Sequence, residues 1–316
     1  MQQPYFLNAA GNKKMKDGIM LWYADENPFI YSITGTNVTV HSTYNGEPVT
    51  QNYPSLTEAA IALKADPNTE VYIEGNVTSM INNSSEKRIV CHNTALTTLN
   101  CDSCPGLTSL DLSANTALTY LNCNSCPGLT SLDLSANTAL TALDCYSCPG
   151  LTSLDLSANT ALTDLDCESC PGLTSLDLSA NTALTDLDCN SCPGLTSLDL
   201  SANTALTYLD CDSCTGLTSL DLSANTALTA LDCYSCTGLT SLDLSANTAL
   251  TTLNCNSCNY IRTIEYTAQN QTIATKIAGL ISAAFATDGN VYCKGTYSST
   301  VQTAATSKGW TYHTLE

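Results

Sequence analysis

Apolar residues between Asn93 and Cys258 return with a period of 22 residues, in units starting at Asn93, Asn115, Asn137, Asn159, Asn181, Asn203, Asn225 and Asn247. The unit reads N-T-A-L-T-x-L-[DN]-C-x-S-C-[PT]-G-L-T-S-L-D-L-S-A, and the eighth copy stops after Cys258. Each copy holds two half-patterns, L-x-x-L-x-C-x-x-C (Leu96 to Cys104) and L-x-x-L-x-L-x-x-N (Leu107 to Asn115). In the second, Leu110 and Leu112 alternate with Ser109, Asp111 and Ser113; in the first, Leu99 and Cys101 alternate with Thr98, Asn100 and Asp102. A period of two is that of a strand with one buried face. The pattern predicts two short parallel strands per coil and two stacked sheets, with turns at Pro-Gly or Thr-Gly and at Asn-Thr-Ala. No unit has room for a long helix. A single coil cannot bury its own leucines, so the array is stable only as a stack covered at both ends.

The flanking segments, 1–92 and 259–316, supply those covers around the 93–258 array. Before it, apolar and aromatic runs at Gly18–Tyr23, Phe29–Ile33 and Val38–His41 read as strands, and Asn45-Gly46 as a hairpin turn. Ser55 and Glu58 make a capping box that predicts a helix to about Ala65, stopped by Asp66-Pro67. Val71–Ile73 returns as a strand that starts the array's sheet. After the array, strands are expected at Thr263–Tyr266, Val291–Lys294 and Trp310–Thr314, with helices at Thr272–Ala284 and Thr300–Ser307.

Charge is distributed unevenly. All ten Lys and Arg lie outside the array, which holds seventeen of the 29 acidic residues of a chain with formal net charge −19. Nucleic-acid affinity comes from Lys and Arg displacing counterions, so a nucleic-acid partner is excluded, as is attraction to anionic lipid. The N-terminus lacks the basic and apolar regions of a signal peptide, and no run of about 18 apolar residues occurs, so membrane insertion is not expected. On this reading the chain stays intracellular until assembly or release.

Sixteen of the eighteen cysteines belong to the repeat. Their C-x2-C-x18-C-x2-C spacing lies within the range of zinc ribbons. Packing is the stronger account: Cys101 and its copies take the inward place that leucine holds in the second half, and Cys104 and its copies a turn position. Buried thiols behave as small apolar groups, and disulfides need an oxidising compartment. A reduced structural ladder, without metal or other cofactor, is expected, and Cys91 and Cys293 read as core residues. Asp111, Asp133, Asp155, Asp177, Asp199, Asp221 and Asp243 form an outward column. At about 4.8 Å in water, neighbours repel by roughly 0.9 kcal/mol, to be relieved by counterions and raised pKa values rather than by calcium, which takes six to eight oxygens.

The copies differ chiefly at two positions, giving the pairs Thr98/Asp102, Tyr120/Asn124, Ala142/Tyr146, Asp164/Glu168, Asp186/Asn190, Tyr208/Asp212, Ala230/Tyr234 and Thr252/Asn256. Both are expected to point outward from the first strand. Variation on one face of a copied scaffold marks a diversified binding surface, and Tyr, Asp and Asn are residues that such surfaces favour. Drift after duplication is the alternative, although the equally outward Thr108, Ser109, Asp111 and Ser113 have not drifted. No catalytic constellation is visible: His41, His92 and His313 lie far apart in caps and junctions.

The paired L-x-x-L-x-C-x-x-C and L-x-x-L-D-L-x-x-N half-patterns resemble the nested leucine-rich repeats of Bacteroidetes and their phages, across the whole array. The unit departs from that family in ending its first half on Cys104, Cys126 and their equivalents, where Asn is usual, and in being one residue longer. The resemblance implies a leucine-rich-repeat solenoid with α+β N- and C-terminal caps, and recognition or adhesion as its work. The short turn-rich caps and the Lys308-Gly309-Trp310 ending also resemble phage tail or head-fibre proteins. A non-enzymatic module on a virion or extracellular surface is expected, binding a protein or glycan receptor or other virion proteins, with self-association a further option. A passive spacer and a thiol or metal protein are the competing readings.

Overall fold

The structure, a computed structural model, describes residues 5–7, 13–15, 19–23, 29–62, 70–81, 88–92, 94–267, 271–283, 285–295 and 298–315. It divides into two compact units, one of residues 1–151 and 158–160, the other of residues 152–157 and 161–316.

In the first unit, Phe29–Tyr44 and Glu47–Ala62 form one long antiparallel hairpin. Asn45 and Gly46 turn it with φ of 54° and 75°, the two positive values that a tight hairpin turn needs and that Asn-Gly adopts readily. The separate strands expected at 29–33 and 38–41 are thus one. The helix expected from Ser55 does not form: Ser55 pairs with Thr36 and Leu56 with Gly35 in the ladder. Leu56 is buried while Ser55 and Thr57 are exposed, so pairing along a strand outweighs a local capping signal. Asp66-Pro67 lies outside the described residues.

Glu70–Ile81 pairs antiparallel with Phe29–Tyr44 and parallel with the first array strand, Thr98–Asn100, as Ser79↔Thr98 and Ile81↔Asn100. Arg88–His92 pairs in parallel with Ser109–Asp111. Two strands of the cap therefore start the two half-turn ladders, one more than expected.

Every first half-turn carries a three-residue strand whose central leucine is buried, from Leu99 to Leu253. The second half-turns differ from expectation. Among the described residues they form regular strand only at Ser109–Asp111 and Ser241–Leu244, with one bridge between Asp177 and Asp199. In every copy the amide of the serine after the outward aspartate donates to that carboxylate, as Ser113 N does to Asp111 Oδ1 at 3.1 Å and Ser223 N to Asp221 Oδ1 at 2.9 Å, whether or not the half-turn forms regular strand.

Three interior ladders replace it. Leucines fill the core. The thiols of Cys126, Cys192, Cys214 and Cys236 donate to the carbonyls of Cys101, Cys167, Cys189 and Cys211 at 2.9–3.3 Å. The buried Asn137, Asn159, Asn203, Asn225 and Asn247 each donate to two carbonyls about one turn earlier in the chain. The glycine after Pro or Thr is required by the same closeness, since a Cβ on Gly216 would stand 2.5 Å from Pro193 O and 2.6 Å from Leu195 O.

In the second unit, Ser241–Leu244 continues in parallel into Thr263–Thr267, Asn290–Lys294 and Thr311–Leu315. Helices α1 (Gln271–Ala283) and α2 (Ser299–Lys308) connect them, as the sequence predicts to within a residue or two. Gly309 ends α2 at φ 87°, and Trp310 stacks on Phe285 while its Nε1 donates to Ala286 O.

Candidate functional site

The first of the two variable positions lies on the strand of the first half-turn and the second in the turn after it, not on the strand as expected. In the first unit the structure lines up Thr98, Tyr120 and Ala142 in one register. In the second it lines up Asp164, Asp186, Tyr208, Ala230 and Thr252. The turn residues stack through their backbones: Ser103 N donates to Asn124 O, Ser125 N to Tyr146 O, Ser169 N to Asn190 O, Ser191 N to Asp212 O, Ser213 N to Tyr234 O and Ser235 N to Asn256 O. Asp102 and Glu168 are half-buried in the same turns.

Each of these turns places its serine in the left-handed region, at φ 53° to 63° from Ser103 to Ser257. What holds it there is a residue that sequence reasoning passed over, the [DN] position between the two variable ones. In seven of the eight turns its Oδ1 accepts the amide two residues on: Asp102 N to Asn100, Asn124 N to Asn122, Glu168 N to Asp166, Asn190 N to Asp188, Asp212 N to Asp210, Tyr234 N to Asp232 and Asn256 N to Asn254, at 2.9–3.3 Å; in the remaining one Tyr146 N donates to Asn124 Oδ1 of the preceding coil at 2.7 Å. Asp and Asn both make this side-chain turn, and their exclusive use at this position was the available signal.

The Asp copies of this column shape the electrostatics of the face. Burial, and then the nearby carboxylates of Asp210, Asp166 and Glu168, push Asp188 up to about 7. Burial chiefly, then Asp232 and Asp212, raises Asp210, and burial followed by Asp166 raises Glu168. The tyrosines share the field: Tyr120 Oη donates to Asp144 at 2.5 Å and Tyr208 Oη to Asp210 at 3.2 Å. Both phenols are pushed up to about 12, by burial first.

One oxygen each of Asp166, Glu168 and Asp188 lies within 4.8 Å of the others. Among the described residues this is the one converging group of potential metal ligands. One oxygen from each falls short of the six to eight that calcium takes.

The other acidic column behaves differently from expectation. Asp133, Asp177, Asp199 and Asp221 are held below the ordinary carboxylate range, not above it. For Asp133 and Asp177 the Ser135 and Ser179 hydroxyls are the leading cause, for Asp199 and Asp221 the Ser201 and Ser223 amides. Donors outweigh repulsion between carboxylates that remain in water.

The cysteine ladders and Cys293 are buried free thiols; hydrogen bonds with neighbouring thiols, and then burial, raise Cys123, Cys189 and Cys211 well above the ordinary thiol range, whereas such bonds lower Cys214 and bring Cys126 down to about 4. Native protein should leave the ladder thiols unreacted toward a soluble thiol reagent until denaturant is added, because the buried sulfurs are out of reach. Rapid labelling of ladder cysteines in native protein, read by mass spectrometry, would refute that packing. His313 stacks on Tyr292 and contacts Asn290 Oδ1, and His41 Nδ1 lies 3.4 Å from Thr50 Oγ1. The side chains of Cys91 and His92 lie outside the description.

A family model for leucine-rich repeats in two copies matches residues 127–167 and 149–192. The functional domain of InlJ from Listeria monocytogenes, described as including a cysteine ladder, is similar at 29% identity and a TM-score of 0.50 over 80% of this chain. The chain covers 56% of that structure. The internalin InlF from Listeria monocytogenes also matches, at 17% identity over 76% of this chain and 82% of its own, with a TM-score of 0.26 that carries no weight. No curated protein matches the sequence. No described helix is long and apolar enough to cross a membrane. Repeat, interior ladders and structural likeness together identify the fold as a leucine-rich-repeat solenoid, similar to those of bacterial proteins.

Proposed function

We propose that the chain is a non-enzymatic interaction module, built as an array (93–258) between two caps (1–92 and 259–316), that binds a protein or glycan through its first-strand face. Display on a virion or cell surface is the setting we propose. The observation that carries the reading is the contrast between two exposed surfaces of one copied scaffold. The first-strand face varies from coil to coil among Tyr, Asp, Glu, Asn, Thr and Ala, whereas the exposed Ser109 recurs unchanged as Ser131, Ser153, Ser175, Ser197, Ser219 and Ser241. Asp111 and Ser113 do not enter that contrast, since their mutual hydrogen bonds account for their constancy.

Tyrosine supplies large contact area for little lost rotamer freedom, which is why it anchors interfaces. Replacing Tyr120, Tyr146, Tyr208 and Tyr234 together by alanine should weaken whatever ligand a glycan or host-protein array identifies by at least about tenfold, roughly 1.4 kcal/mol. A quadruple variant that melts like the parent and loses no ligand would assign binding elsewhere.

A further inference from the structure

The C-terminal sheet ends on an open edge. Thr311–Leu315 pairs in parallel with Asn290–Lys294 on one side, and among the described residues no strand pairs with it on the other. Thr311 N donates to Gly289 O and Leu315 O accepts from Gly295 N, so alternate residues bond inward and the amide and carbonyl of Thr314 point to the open side. Other sheet ends are guarded. Glu47–Ala62, the outer strand of its hairpin, carries Pro48 and Pro54, which have no N–H to offer. Thr252–Asn254, the last first-half strand, lies beside α1. Proline and a covering helix are devices that keep a sheet edge from pairing, as are lysine and bulges. Thr311–Leu315 contains no proline, no charged side chain and no bulge. It is also held in place: Trp310 stacks on Phe285 just before it, Tyr312 Oη accepts from Ser298 N at 3.1 Å, and His313 stacks on Tyr292. An edge ordered in advance loses little further freedom on pairing.

We propose that this edge pairs, antiparallel, with the same edge of a second copy of the chain, joining two four-stranded sheets into one. Pairing about a two-fold axis uses the same residues from both sides, so one segment supplies donor and acceptor alike. It also shelters Leu315, at 39% the one large aliphatic side chain that stands exposed among the described residues. Charge decides which part of the molecule can meet its own copy. Four basic and three acidic residues give 259–316 a net charge of +1, against −17 for the array and −3 for residues 1–92. Two chains of formal charge −19 repel over most of their surface, and the C-terminal cap is where they approach without that repulsion. A pair of five-residue strands buries less than a standard interface of about 1,600 Å², so the dimer is weak and forms as concentration rises. Nothing in this pairing depends on what the first-strand face binds.

Sedimentation velocity of the full chain over a range of concentrations provides the test. The parent should shift from monomer to dimer as concentration rises, and at least as strongly at high salt, because salt screens the repulsion between acidic arrays. Thr314→Pro removes an amide that the sheet itself does not use, and Thr314→Lys sets like charges across the two-fold axis. Each should raise the dimer dissociation constant at least about tenfold. Thr204→Lys, the same charge change at an exposed site in the array, should move it less than about twofold. Melting curves establish that the variants fold; should the proline variant not, Thr314→Lys decides, since that side chain is exposed. Hydrogen exchange adds a second readout: protection of the Thr314 amide should rise with concentration in the parent and not in Thr204-matched samples of Thr314→Lys. A chain that stays monomeric at every concentration overturns the proposal. So does a dimer that both Thr314 variants leave intact, or growth beyond the dimer, which a closed two-fold pairing does not allow.

Discussion

Replacing Asn203 by alanine is expected to destabilise the protein by about 1–3 kcal/mol, a large effect for the loss of one small side chain. Asn203 is fully buried, and its Nδ2 donates to Leu178 O at 3.1 Å and to Asn181 O at 2.9 Å. Alanine removes both donors, so Leu178 O and Asn181 O keep only the backbone amides of Asn181 and Leu184, and each lost hydrogen bond is worth about 0.5–1.5 kcal/mol. The backbone bonds at this turn, Asn203 N to Leu200 O and Leu206 N to Asn203 O, are unaffected, so the loss isolates the side chain. The neighbouring exposed Thr204→Ala should change stability by no more than about 0.5 kcal/mol. Urea denaturation followed by circular dichroism measures both. A loss below about 1 kcal/mol for Asn203→Ala would show that water replaces the missing donor and that the ladder is not what fastens one coil to the next.

The leucine and cysteine ladders, like the fold, were legible because the repeat averages over eight copies, whereas the asparagines were read only as turn residues. Leucine and cysteine at fixed inward offsets leave one arrangement that buries them all, and the C-terminal cap follows its local periodicities closely. Legibility failed where a local signal competed with pairing. Ser55 and Glu58 spell a helix start, yet Leu56 can be buried only by continuing the hairpin against Phe29–Tyr44. It failed again at the second half-turns, where alternation was read as a strand but reports only a buried face: Leu110, Leu132 and Leu154 are all buried, and only the first lies in regular strand. In the candidate site, the variable pairs were found because they vary. The [DN] column between them was missed because its variation is small, and its meaning depends on a hydrogen bond two residues away that no periodicity reports.

The same column yields a second stability effect, with a sign opposite to that of most substitutions. Asp188→Asn should stabilise the protein by about 1–2 kcal/mol at pH 8 and by less than about 0.5 kcal/mol at pH 4.5. The carboxyl is held at about 7 by burial and by Asp210, Asp166 and Glu168, against about 3.9 for an unfolded chain. The folded state thus holds this proton more tightly than the unfolded one. Its contribution is fully present below pH 3.9 and is lost as the pH rises through 7, beyond which the ionised group opposes folding. For a fully enclosed group that span would be worth about 4 kcal/mol, and solvent reaching the half-exposed Asp188 reduces it to the smaller figure. Asparagine keeps the acceptor for the Asn190 amide, as Asn122 does for Asn124, so the variant loses the charge and not the turn. Denaturation curves of parent and variant between pH 4.5 and pH 8 should therefore separate as the pH rises. Parallel curves would mean that Asp188 is ionised and solvated across the whole range. The first-strand face would then be an ordinary wet acidic surface, without crowding among its carboxylates.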